Sequence, residues 1–127
     1  MPTYDTTVDP PAPFARVTLR HPDTGAIWPD VPMRLDSGAD VTLVPQIATE
    51  KLRITVAPGK QYELMGFDGN TSLASVVQLE LVFCRRAFRG QFLLIDQPWG
   101  ILGRNVMNAI PLLLDGPRLT WDEHRSV

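Results

Sequence analysis

Leu35-Asp36-Ser37-Gly38-Ala39-Asp40-Val41-Thr42-Leu43-Val44-Pro45 is the stretch on which the fold turns. Val31, Met33 and Leu35 alternate onto one face of an extended segment that runs directly into Asp36, and Val41-Thr42-Leu43-Val44 then resumes an extended run. An acidic loop is therefore expected between two strands, with the Asp36 carboxylate at the end of a buried one, where its protonation can be perturbed. The triplet Asp-Ser/Thr-Gly alone is weak evidence, because Asp23-Thr24-Gly25 repeats it upstream. That copy lies between His21-Pro22 and Ala26-Ile27, the setting of a polar hairpin turn in which Asp caps and Gly takes an unusual φ. The competing reading of Asp36 is an Asx turn without chemistry.

Outward from this loop, the pattern is one of short strands. The 127 residues include 12 prolines and 9 glycines, spread so that apolar runs stay short, which predicts an all-β domain. Residues 14–20 alternate Val17 and Leu19 against Thr18 and Arg20 and then meet the 21–25 turn, predicting a first hairpin. Pro45 at a favoured first helical position, with Ala48 and Leu52 at i, i+4, predicts a short helix over 45–52. Residues 61–83 read as two strands around Gly66-Phe67-Asp68-Gly69-Asn70, where Asp-Gly is a strong hairpin signal. Further strands are expected at 88–95, in a separate segment that ends at Ile101-Leu102, and at 112–114 and 118–121 around Asp115-Gly116-Pro117, with a short helix over 105–109 before Pro111. Residues 1–13, with Pro2, Pro10, Pro11 and Pro13, read as an irregular arm, and 14–127 as a single domain large enough to bury a core without metal or disulfide.

Composition narrows the function. With 44% apolar residues, 20% charged residues and a formal charge of -2, the chain reads as an ordinary globular protein with no nucleic-acid footprint. Cys84, the single cysteine, has no intrachain partner and sits in an apolar strand, so it reads as a small buried hydrophobe. Met1-Pro2-Thr3-Tyr4 lacks the basic start of a secretory signal, and no stretch approaches the roughly 18 apolar residues of a membrane span. A cytoplasmic protein without membrane contact is expected. His21 and His124 lie at opposite ends and read as solvated, paired cysteines and His-Glu-x-x-His are missing, and Ser37 lacks a nucleophile-elbow sequence. Metal and serine chemistry are disfavoured, and no cofactor is expected.

Three segments, in this order, carry a resemblance: 35–45, the glycine-tipped hairpin around 66–70, and Ile101-Leu102-Gly103-Arg104-Asn105-Val106. In these the chain resembles the retroviral-type aspartic proteases, the retropepsins, and more closely their small bacterial and cellular relatives. The first and third segments match in sequence, the hairpin mainly in shape. The resemblance implies an all-β, acid-protease closed β-barrel half with one or two short helices, working as a homodimer on a peptide or protein substrate. Water activation by aspartates needs two carboxylates that share a proton, so a chain with one usable Asp-Ser-Gly finds the second in another copy of itself.

Carried over residue by residue, the resemblance makes Asp36 catalytic. Ser37 would hydrogen-bond across the dimer axis, and Gly38 would meet the substrate backbone. Ala39 stands where a hydroxyl residue would stabilise the ionised pair, which implies weakly acidic to near-neutral activity. Asp40 would pair with Arg104 beside the site. Gly66, Phe67, Asp68 and Gly69 would close over an extended peptide like an added strand, although Asp68 puts a charge where retroviral members keep the tip mostly apolar. Trp99 and Ile101 would line pockets for apolar side chains; the plain alternative for Trp99 is a core or dimer aromatic. Two rival readings remain: a non-catalytic peptide-binding or dimerisation module on the same fold, and a monomeric enzyme pairing Asp23 with Asp36.

Overall fold

Alternation of buried and outward residues, the period-2 pattern of a pleated strand, runs through most of the chain. In the computed structural model, which describes residues 2–56, 61–65 and 69–124, the elements follow in the order β1 (Tyr4–Asp5), β2 (Ala12–Arg20), β3 (Ile27–Leu35), β4 (Leu43–Pro45), α1 (Ala48–Leu52), β5 (Gln61–Met65), β6 (Thr71–Phe83), β7 (Arg86–Ile95), β8 (Gly100–Leu102), α2 (Arg104–Met107), β9 (Leu112–Asp115) and β10 (Thr120–Glu123). The main sheet runs β1-β2-β3-β8-β4-β7-β6-β5, and a further pairing of β2 with β6 closes it into a barrel. Closure leaves the barrel strands without a free edge. The pairs β3–β8 and β4–β7 are parallel and the others antiparallel.

Ala15, Val17 and Leu19 of β2 face inward with Val31, Met33 and Leu35 of β3 and Leu79 and Leu81 of β6, and all are buried. Each large member contributes roughly 1.5–3 kcal/mol through burial. A second, smaller buried cluster of Leu43, Ala74, Val76 and Leu93, with the partly buried Val41, Leu64, Ile95 and Ile101 packed against it, lies on the other side of the sheet from the main core, beside the acidic loop.

Several expectations need correction. The first thirteen residues are not an irregular arm: Tyr4 and Asp5 pair with Pro13 and Ala12, so β2 begins at Ala12. The Tyr4 amide donates to the Leu119 carbonyl at 2.9 Å, the Trp121 amide donates to the Pro2 carbonyl at 3.1 Å, and Thr3 bridges Thr120. The prolines do not prevent this pairing, because Pro2 contributes only its carbonyl and the amide bonded to Leu119 belongs to Tyr4, opposite Pro13. The helix after the acidic loop starts at Ala48, because Pro45 is the last residue of β4. Gln46 donates its amide to Ile95 on the β7 side, so the alternate position, Pro45, points to the side where β8 pairs only as far as Leu43, and its missing N–H costs no ladder bond.

The turn at 21–25 forms as expected and Gly25 takes φ 76°. Its cap, however, is His21, whose Nδ1 accepts from the amides of Asp23 at 3.0 Å and Thr24 at 3.2 Å. His21 is thus a half-buried turn residue rather than a solvated one, and Asp23 plays no capping part. In the glycine-tipped hairpin, β5 and β6 pair as far as Met65 and Thr71, and Gly69 takes φ 80°. Gly66, Phe67 and Asp68 lie outside the described residues.

Candidate active site

Strand β8 is wedged between two strands that are neighbours in sequence. Met33, Arg34 and Leu35 of β3 pair in parallel with Gly100, Ile101 and Leu102, while Leu43 of β4 faces Ile101 from the other side. The 36–42 loop joining β3 to β4 must therefore cross the end of β8, which is why two segments far apart in sequence meet. They are stitched by main-chain bonds: the Asp36 amide donates to the Leu102 carbonyl at 3.0 Å and the Arg104 amide to the Ala39 carbonyl at 2.8 Å. Gly103 is buried in this crossing, and a Cβ there would strike the Val41 carbonyl and lie 3.0 Å from the Ala39 carbonyl oxygen. Thr42, 1% exposed, locks the contact: its hydroxyl accepts from the Gly103 amide at 3.0 Å and donates to Asn105 Oδ1 at 2.7 Å.

Asp36 is half-buried at the start of this loop. Its Oδ1 accepts from the Gly38 amide at 2.9 Å, and its carbonyl accepts from the Ala39 amide at 3.1 Å. That is an Asx turn, and it fixes the carboxylate rather than hiding it, since Oδ2 has no hydrogen bond among the described residues. A Cβ on Gly38 would come to 3.2 Å from Oδ1, so glycine gives the carboxylate its room. Ser37 and Gly38 are exposed and Ala39 is half-buried. The Arg104 guanidinium donates to the Ser37 carbonyl at 2.8 Å and holds the tip of the loop from below.

No protein-family model matches the sequence, and no curated protein matches it. Among solved structures, the EIAV protease complexed with the inhibitor HBY-793 is similar, with a TM-score of 0.56 and 23% identity over 77% of this chain and 86% of that one. The fold is retropepsin-like.

Within this retropepsin-like barrel the predicted site residues separate into groups. Asp36, Ser37, Gly38, Ala39 and Arg104 come together. Asp40 is exposed and forms no ion pair with Arg104 among the described residues, correcting that expectation. The Arg104 guanidinium meets a main-chain carbonyl within reach, and an exposed ion pair would add little to that. Ile101 joins the second apolar cluster beside Leu43. Trp99 instead packs edge-on against Phe14, ring centroids 6.1 Å apart at 81°, and lines a cavity of about 820 Å³ with Tyr4, Phe83 and Trp121. A smaller cavity of about 200 Å³ opens between Val41 and Thr42 of the acidic loop and Tyr62, Val76 and Leu93.

The residue-by-residue reading gave no role to Thr42, Asn105 or Arg34. A hydroxyl inside the apolar run Val41-Thr42-Leu43-Val44 was the available signal for the first. Among the described residues no cluster of His, Cys, Asp and Glu could hold a metal ion, and no helix is long and apolar enough to cross a membrane. Cys84 sits in the β6–β7 turn with φ 51°, half-buried; burial, then the Glu123 and Asp122 carboxylates, push its thiol up from 9.0 to about 11. A thiol so held is no nucleophile at neutral pH.

Proposed function

We propose that two copies of this chain form an aspartic endopeptidase in which Asp36 of each supplies one carboxylate. The observation that carries this reading is Asp36 itself: half-buried, with Oδ1 held by the Gly38 amide and Oδ2 unengaged among the described residues, on a loop clamped from below by β8 and Arg104. Two carboxylates brought to hydrogen-bond distance share one proton. The ionised member takes a proton from water, whose oxygen attacks the scissile carbonyl carbon, while the protonated member gives its proton to the carbonyl oxygen. The resulting tetrahedral diol collapses with cleavage of the C–N bond and protonation of the leaving amine, leaving an acid and an amine and no acyl-enzyme.

The peptide would lie extended beneath the β5–β6 hairpin, paired as an added strand, with the partly buried Ile101 and Val41 at the edge of the second cluster under its side chains. Ser37 would reach across the dimer axis and Gly38 would meet the peptide backbone. The proposal includes a cytoplasmic setting, no cofactor, and a rate optimum between weakly acidic and near-neutral pH. The alternative, a non-catalytic peptide-binding or dimerisation module, would keep the same Asx turn without turnover.

Digestion of a peptide mixture across pH 3 to 8, with sedimentation of the same samples, tests the reading. Cleavage that accompanies a dimer and vanishes in Asp36→Asn, a change that preserves the acceptor for Gly38, supports it. Absence of cleavage by a well-folded dimer at every pH sinks it in favour of the module. Full activity of Asp23→Ala disposes of a monomeric Asp23–Asp36 pair.

A further inference from the structure

On the side of the sheet away from the main core, a row of paired residues crosses the strands beside Asp36; its far members Leu43, Leu93 and Val76 are buried, and its near members Phe14, Arg34 and Ile101 are half-buried. Phe14 pairs with Arg34, Arg34 with Ile101, Ile101 with Leu43, Leu43 with Leu93, and Leu93 with Val76. Their side chains lie on that side because the inward positions of β3 are Val31, Met33 and Leu35. Every member of the row is apolar except Arg34. This arginine is half-buried, and among the described residues it has no ion pair or hydrogen bond. Other arginines along the barrel strands and at the acidic loop are engaged: Arg16 with the Asp30 carbonyl, Arg20 and Arg89 with Glu80, Arg86 with the Ala109 carbonyl, and Arg104 with the Ser37 carbonyl.

We infer that Arg34 is a specificity-determining residue that selects peptides carrying an aspartate or glutamate side chain next to the bond held at Asp36. The inference rests on the peptide-cleft reading above and deepens it. A peptide laid over the half-buried end of the row, Phe14, Arg34 and Ile101, removes the remaining water from the guanidinium, and a desolvated cation without a counter-charge is costly. Arginine's planar fork matches a carboxylate in a two-point contact. Arg34 lies two residues before Asp36, which follows the last residue of β3, so the two are separated by no more than about 7 Å along the chain. A bound strand has the same repeat, so the acidic side chain falls within about two residues of the scissile bond.

The test is a degenerate peptide library presented to the wild-type chain and to Arg34→Gln, Arg34→Lys and Arg34→Glu, read both as cleavage products and as peptides retained on the immobilised Asp36→Asn protein. Enrichment of Asp or Glu at one position by about ten- to a hundredfold is expected, lost in Arg34→Gln, kept in Arg34→Lys and turned toward Lys or Arg in Arg34→Glu. Cleavage that depends on Asp36 but keeps the same profile in Arg34→Gln overturns this inference and leaves the peptidase reading standing. Acidic peptides retained but never cleaved keep Arg34 as a recognition residue and sink the peptidase reading. Neither retention nor cleavage overturns both. A weaker dimer in Arg34→Gln with an unchanged profile overturns the inference by assigning Arg34 to a contact between copies.

Discussion

Replacing Thr42 with valine removes one hydroxyl from a site where two distant segments are joined, with almost no change in volume. In the native chain that oxygen accepts from the Gly103 amide at 3.0 Å and donates to Asn105 Oδ1 at 2.7 Å. The consequences differ at the two ends. Asn105 is exposed, so its carbonyl regains water, whereas the Gly103 amide is buried beneath the loop and finds no other acceptor. A stranded buried donor costs about 1–3 kcal/mol, the lost bond to Asn105 adds a fraction of that, and the apolar methyl returns up to about 1 kcal/mol. The net destabilisation is roughly 2 kcal/mol. With an unfolding entropy of about 2.1 cal/mol/K per residue, the 127-residue chain loses about 7–8 °C in Tm. Urea titration at one fixed protein concentration reads this as a lower midpoint with an unchanged slope, the concentration being fixed because self-association would add to stability. Asn105→Ala alone should cost less, and in the Thr42→Val background it should cost almost nothing, because the partner has already gone. Wild-type stability of Thr42→Val, or additive effects in the double variant, would refute the clamp.

The other predictions concern the same crossing and the β6–β7 turn. Gly103→Ala should lower the urea midpoint further than Thr42→Val, since the atoms struck by a Cβ include the Val41 and Ala39 carbonyls rather than a flexible side chain. Arg104→Ala should reduce peptide cleavage while shifting stability by less than about 1 kcal/mol, because the bond to the Ser37 carbonyl is exposed. Asp40→Ala should leave both nearly unchanged, and a loss equal to that of Arg104→Ala would restore the ion pair that the structure does not form. Cys84, its thiol held near 11 against 9.0 unfolded, should react with a thiol reagent at pH 8 about tenfold more slowly than an unperturbed cysteine: the thiolate is about a hundredfold scarcer but somewhat more nucleophilic. Because the folded state holds that proton more tightly, the associated stability is complete below pH 9 and declines as pH rises toward 11. A Cys84→Ala chain should lose this alkaline dependence, seen as a flatter plot of urea midpoint against pH.

Most strands were legible because their signal is local. Val31, Met33 and Leu35 declare a strand by alternation, His21 to Gly25 declares a turn by composition, and both form where the pattern places them. The boundaries that moved did so for non-local reasons. Pro45 favours a helix start in isolation, but pairing of β4 with β7 and the end of β8 make it a strand residue. Tyr4 and Asp5 lie in a proline-rich stretch that looks irregular until β2 and the Leu119 carbonyl supply its partners.

The candidate site divides in the same way. The apolar run into Asp36-Ser37-Gly38, the alternation around it and the Gly103-Arg104-Asn105 fragment are properties of the chain's order, and they single out Asp36 as the candidate carboxylate and point to the fold it sits on. Which groups touch it was not written there. Whether Arg104 meets Asp40 or the Ser37 carbonyl, that Trp99 leans on Phe14, and that Arg34 stands as the one cation in an apolar row all depend on β8 entering between β3 and β4. Periodicity records how each residue faces its own strand; only the pairing of strands distant in sequence decides which residues become neighbours.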